Sequence, residues 1–162
     1  MAWINPTTVA TGDVLTAAKW NQDVVANWTE FGGGWTSYTP TFAQGVSTNI
    51  NKTLNYAKFL KIGRLVMGQV SLTSSGAGTS GSAVTLTLPA TAATSGIIIG
   101  TGVYLRPATA NYHASVWANT TTTLAMVTAF AAPSNAYYGA SPAVAVAGSD
   151  EMRVTFMYEA AS

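Results

Sequence analysis

Hydrophobic positions along this chain keep two different periods. Ala17, Trp20, Val24 and Trp28 recur at intervals of three and four residues and make one apolar stripe, while Asn21, Gln22 and Asp23 fall on the opposite side. Thr16 stands where a helix cap belongs, since its hydroxyl can accept from the Lys19 amide, one of the donors that a helix start leaves unpaired. The pattern predicts a helix from Thr16 to about Trp28. Upstream, residues 3–15 read as extended: Pro6 biases Asn5 away from helix, and Thr11-Gly12-Asp13 reads as a turn. So short a helix is marginal alone in water. Its stripe carries Trp20 and Trp28, so a cover is required, from the rest of the chain, a symmetry mate or another protein.

Phe31-Gly32-Gly33-Gly34-Trp35 reads as a hinge, flexible in the middle and pinned by an aromatic residue at each end. After it the period becomes two. Tyr56, Phe59 and Leu60 lie in a strand that turns at Gly63-Arg64 into a second strand, where Val66, Gly68, Val70 and Leu72 alternate with Leu65, Met67, Gln69 and Ser71. Both faces of that second strand are partly apolar, which suits a central position. Ser74 to Ser82 is a glycine-serine loop, and Val84, Leu86 and Leu88 form a strand ended by Pro89. Strands follow at Ile97–Leu105, at Tyr112–Trp117, at Leu124–Phe130 and, briefly, at Val144 and Val146. Met152, Val154, Phe156 and Tyr158 close the chain in strict alternation. No helical period follows Trp28, so about eight strands without interposed helices imply a mainly β fold. The expected architecture is an antiparallel β-sandwich or jelly-roll-like head over 35–162, carried by a 1–34 anchoring arm with a short helix, an extended lead-in and a glycine hinge.

Charge changes this picture by its scarcity. Charged residues make up 8% of the chain, against roughly 25% in an average soluble protein. Thr, Ser and Asn supply the polarity, and a surface of that kind repels copies of itself weakly. The net charge of +1 gives no basis for nucleic-acid binding. Lys52, Lys58, Lys61 and Arg64 read as the solvated end of a hairpin. No apolar run approaches the roughly 18 residues of a spanning helix, because Gly100, Thr101 and Gly102 interrupt the longest, so membrane insertion is not expected. The absence of cysteine removes disulfides, thiolate nucleophiles and cysteine-based zinc sites. Met1 to Pro6 lacks the basic start and apolar core of a secretory signal, which points to assembly in a cytoplasm.

Candidate chemistry is sparse. The single histidine, His113, sits mid-strand with no acid near it in sequence and reads as solvent-facing or satisfied. Asp13, Asp23 and Glu30 belong to the arm; Asp150 and Glu151 are neighbours that point apart if extended; Glu159 is near the end. Paired carboxylates facing a cleft, as glycan hydrolysis needs, are not apparent, and no nucleophile elbow or phosphate loop occurs. No catalytic residue, metal or cofactor is therefore assigned, and the chain is not expected to be an enzyme. Tyr112, Trp117, Tyr137 and Tyr138, with Asn111, Asn119 and Asn135 nearby, are candidates for glycan or partner contact; Tyr112 and Trp117 suit a core or a subunit interface as well.

Gly12, Val14-Leu15, Thr16-Ala17-Ala18, Asn21 and Val24 together resemble the short N-terminal motif of tailed-bacteriophage tail and fibre proteins. Trp35-Thr36-Ser37-Tyr38-Thr39-Pro40-Thr41 is similar to the opening of a phage fibre β domain, as is the order Tyr56, Gly63-Arg64, Gly78-Thr79-Ser80-Gly81 and Leu88-Pro89. The resemblance implies a virion structural protein, usually a homotrimer, assembled in the bacterial host cytoplasm with other tail or capsid proteins. Trp3, Leu15, Trp20, Val24 and Trp28 are then the anchoring residues. The head would serve as a tail-associated fibre or receptor-binding module for host-surface glycan. The alternative is capsid decoration, and a small glycan hydrolase is a remote third.

Overall fold

The computed structural model describes residues 8, 10–32, 34–129 and 136–161. Thr16 is extended, at φ −76° and ψ 155°, and its Oγ1 accepts from the Lys19 amide at 3.2 Å, as the cap requires. A turn precedes it, closed by the Asp13 amide on the Ala10 carbonyl and by the Ala10 amide on Asp13 Oδ2. The helix runs as α1 (Ala17–Trp20), a π-helical stretch (Asn21–Val25) and α2 (Ala26–Gly32). Side chains back-bond within it: Asn27 Nδ2 donates to the Asp23 carbonyl and Thr29 Oγ1 to the Val25 carbonyl. Helix therefore continues past the expected end at Trp28 and takes in Phe31 and Gly32 of the expected hinge, while Gly33 lies outside the described residues.

Ten strands form one antiparallel sheet: β1 (Thr36–Ser37), β2 (Phe42–Gln44), β3 (Lys52–Ile62), β4 (Leu65–Ser74), β5 (Val84–Thr87), β6 (Ile98–Arg106), β7 (Ala110–Ala118), β8 (Thr123–Ala129), β9 (Ala136–Tyr137) and β10 (Glu151–Glu159). Their order is β1-β3-β4-β10-β6-β7-β8-β5-β2, with β9 beside β5 on the same edge of β8. The fold is mainly β with a short N-terminal helix, and the sheet is curled into an open half-barrel. Two stacked sheets, as a sandwich would have, are not what the hydrogen bonds trace. β10 pairs along its whole length with β4 on one side and from Glu151 to Phe156 with β6 on the other, so the ladder has no gap at its centre. β4 is central, as its two partly apolar faces suggest. Lys52 opens β3 at the end opposite the Gly63 turn, so it does not join Lys61 and Arg64 there.

Curling follows from the connectivity. β1 and β2 occupy the two outer edges of the sheet, yet only residues 38–41 join them. The Tyr38 amide is bonded to the Ala57 carbonyl on β3, and Thr41 exchanges hydrogen bonds with Thr87 on β5. Three residue steps reach about 11 Å, whereas a flat sheet of nine strands spans about 38 Å. The sheet has to bend until its edges come within that reach. The inner face then encloses the core, in which Leu72, Leu86, Tyr104, Leu124, Met126 and Met152 are fully buried. Gly68 leaves room for the Phe156 ring, and a Cβ at Gly100 would overlap the Thr155 carbonyl oxygen across the ladder.

One buried side chain ties the second edge to the loops. Gln44, on β2, is fully buried. Its Nε2 donates to the carbonyls of Val144 at 2.6 Å and Ser82 at 3.1 Å, and its Oε1 accepts from the Val146 amide at 2.8 Å. This amide takes the place of a neighbouring strand for residues 144–146. That explains why Val144 and Val146, expected as a strand, form none: a side chain already satisfies their backbone. Gly78 and Gly139 lie against the same amide, where a Cβ would collide with it.

Gln44→Ala leaves the Val146 amide and the Val144 carbonyl buried without that partner, so it is expected to lower unfolding stability by about 3 kcal/mol in urea titrations. Gly78→Ala, which pushes a methyl group into the same amide, should cost about 1–3 kcal/mol. An unchanged denaturation midpoint in both variants would contradict this clamp.

Candidate functional site

Three of the predicted anchoring residues are on the outside. Leu15, Trp20 and Trp28 are 53%, 48% and 71% exposed, and Val25 joins them at 45%. Val24 is half-buried, and Trp3 lies outside the described residues. Of the described side chains among these, none belongs to the hydrophobic core. These exposed residues thus stand apart from the core, and Val25, which the helical period did not single out, is exposed as well, at the end of a π-helical stretch in which the angular spacing of successive side chains differs from that of an α-helix.

The predicted glycan platform comes apart. Tyr138 is fully buried and offers no surface. Its ring centroid lies 4.1 Å from that of Tyr104 and 4.9 Å from that of Tyr112, which points to the inner face of β7 and is half-buried. Tyr137 is half-buried on β9. Trp117 is half-buried on the outer face, in register with Ile98 and Ala125. These four rings therefore do not share one surface. Alternation in β7 was legible in the sequence, but the packing of the Tyr138 ring against Tyr104 of β6 and Tyr112 of β7 is a long-range contact that no local pattern announces. Phe130 and Asn135 lie outside the described residues.

Beside the rings is a buried ionic cluster that sequence reasoning missed. Asp150 accepts from the Tyr104 hydroxyl at 3.1 Å and from the Ala147 amide at 2.9 Å, and Arg106 Nε approaches its other oxygen at 3.5 Å. Asp150 and Glu151 do point apart. Glu151 faces outward and is bound by Arg153 Nη2 at 2.6 Å. Glu159, also outward, pairs with Arg64 at 3.1 Å. Among the described residues no group of three or more His, Asp or Glu is placed to hold a metal ion, and no helix is long and apolar enough to cross a membrane.

His113 lies exposed on the outer face, over the middle of the sheet. There Tyr56, Gln69, Ser71, Thr101, His113 and Arg153 border a depression of about 430 Å³. A second depression shares Thr101 and His113 and reaches Thr128 of β8; a third shares Arg153 and runs to the β6–β7 turn.

Burial governs the ionisation of the inner tyrosines. It pushes the phenols of Tyr104, Tyr138 and Tyr38 far up; Asp150 adds to the shift at Tyr104, and Arg106 opposes it at Tyr138. Burial pushes the Tyr158 phenol up to about 12, against the opposing effect of its hydrogen bond with Ala90. Tyr158 donates to the Ala90 carbonyl at 2.6 Å and accepts from the Ala90 amide at 3.2 Å. The Tyr138 hydroxyl has no hydrogen-bond partner among the described residues.

A phenol whose pKa is raised by folding contributes stability that is complete below the unfolded value of about 10 and is lost as pH climbs through the folded value. Thermal unfolding is therefore expected to be insensitive to these groups near neutrality and to weaken steadily above pH ~10. Tyr158→Phe should cost about 1 kcal/mol, whereas Tyr138→Phe should be neutral or stabilising. Equal losses in the two variants would contradict these hydrogen-bond assignments.

No protein-family model, curated protein or solved structure matches this chain, so its functional assignment rests on its own surfaces.

Proposed function

We propose that the chain is a structural component of a bacteriophage virion, a trimeric tail-associated fibre or receptor-binding module attached through its N-terminal arm. The observation that carries this is the exposure of Trp20, Val25 and Trp28 on one short helix, while the head has a buried hydrophobic core to which none of them belongs. A helix this short gains little from its own hydrogen bonds, and its tryptophans gain most when a neighbour removes them from water. The N-terminal motif and the sparse charge of the head agree with a part that packs against other subunits. In this assignment the chain does no chemistry: the acids on and beside β10, Asp150, Glu151 and Glu159, are each engaged by an arginine.

Capsid decoration is the second assignment, and one observation favours it. α2 ends at Gly32 and β1 begins at Thr36, so no shaft separates the anchor from the head. In either role residues 1–34 dock and the head is displayed.

The test is a Trp20→Ser/Val25→Ser/Trp28→Ser variant of the full chain. Wild-type chain is expected to sediment as a trimer and to be incorporated into particles. The variant is expected to lose at least about tenfold in incorporation, three large apolar contacts being removed, with the strand circular dichroism and melting temperature of the head unchanged. Undiminished incorporation would overturn the anchor, and labelling of a C-terminal tag on intact particles separates tail from capsid.

A further inference from the structure

We infer that the outer face of the sheet is a groove for an uncharged polysaccharide, lying over β3, β4, β10, β6 and β7 and reaching β8. Register sets five side chains in one row across those strands: Tyr56, Ser71, Arg153, Val103 and His113. The adjacent row is Lys58, Gln69, Thr155, Thr101 and Ser115. Small side chains in the middle, Ser71 and Thr101, lie between larger ones, Tyr56, Gln69, Arg153 and His113, which makes a trough out of what is otherwise a smooth surface. The three depressions on this face share Arg153 or His113 and so form one elongated feature. From β3 to β8 it spans about 24 Å at ~4.8 Å per strand. That length suits a chain of linked rings better than one small molecule.

The chemistry of the lining selects the ligand. Among the described residues the side chains of Gln69, Ser71, Thr101 and His113 make no hydrogen bond to the protein, so donors and acceptors of both kinds face the groove. Tyr56, 37% exposed, offers a ring at one end with Lys58 Nζ 5.4 Å from its centroid. Sugar hydroxyls match amides, hydroxyls and imidazole, and a ring face accepts the apolar side of a sugar. Glu151 neutralises Arg153, which leaves Lys58, at the Tyr56 end, as the one cation of the two rows without a carboxylate partner among the described residues, too little charge to hold a polyanion. β4, β10, β6 and β7 are paired on both sides, so a peptide has no free strand edge to join there. Tyr137 and Tyr138 play no part in this site.

This deepens the receptor-binding assignment and rests on it for biological meaning, but it is tested on the soluble full chain without particles, so either can fail while the other stands. Soluble hexasaccharides of glucose and of N-acetylglucosamine are titrated into labelled protein, with a sulfated hexasaccharide alongside. Expected are amide shifts clustered at Gln69, Ser71, Thr101, His113 and Thr155 with a neutral sugar, unchanged by added salt. Gln69→Ala/Thr101→Val, with both positions outward and the fold checked by thermal melting, should weaken that binding by at least about tenfold. Ser71→Trp, which fills the trough, should abolish it. The inference is overturned by the absence of shifts with either neutral sugar, by shifts confined to other surfaces, or by binding of the sulfated sugar alone that salt removes.

Discussion

The short link from Tyr38 to Thr41 constrains everything else in this molecule. It fastens the two outer edges of a nine-strand path within a few residues of each other, so the sheet must curl and one face must become an interior. Residues 45–51 then return the chain from β2 to β3, again across the mouth, with the Ile50 amide on the Phe42 carbonyl and the Ser75 and Gly76 amides on the Asn51 carbonyl. Gln44 completes the closure by bonding three backbone groups of the loops that meet there. Each of these ties satisfies polar groups that curling would otherwise strand away from water.

The head has a core of its own, separate from the helix. The curled sheet already encloses Tyr104, Tyr138, Leu72 and Met152 without free surface, and Asp150 with Arg106 seals one end. Trp20 and Trp28 are not part of that interior and stay at the surface. Two exposed tryptophans on one short helix are the physical ground for our proposal that the N-terminal segment is a docking element. The outer face presents the opposite character: polar rows over β4, β10 and β6, with charge nearly cancelled. Two surfaces of different chemistry thus belong to two parts of the chain, one suited to assembly and the other to a hydrated ligand.

Local patterns carried the reading where interactions are local. The Thr16 cap, the β3–β4 hairpin at Gly63, the alternation of β7 and the closing strand β10 were all legible from residue spacing, because turn chemistry and two-residue alternation act over a few positions. Features set by distant partners were not. Val144 and Val146 alternate like a strand, yet the Gln44 amide, a hundred residues away, holds their backbone instead. Tyr138 sits in a loop rich in small residues, yet its buried ring packs at a tilt against those of Tyr104 and Tyr112. The single curled sheet was likewise invisible, since alternation records which face is buried and says nothing of what lies across from it. The outer groove was missed for the same reason: Ser71, Arg153, Thr101 and His113 come together only through cross-strand register.

Hydrogen exchange on the free full-length chain and on the assembled form measures the central claim most directly, namely that the head is complete in itself and the helix waits for a cover. The account predicts strongly protected amides in β4, β10 and β6 in both states, and amides of the Asn21–Gly32 segment that exchange readily in the free chain and become protected on assembly. Helix amides protected as strongly as those of β10 in the dilute free chain would contradict it.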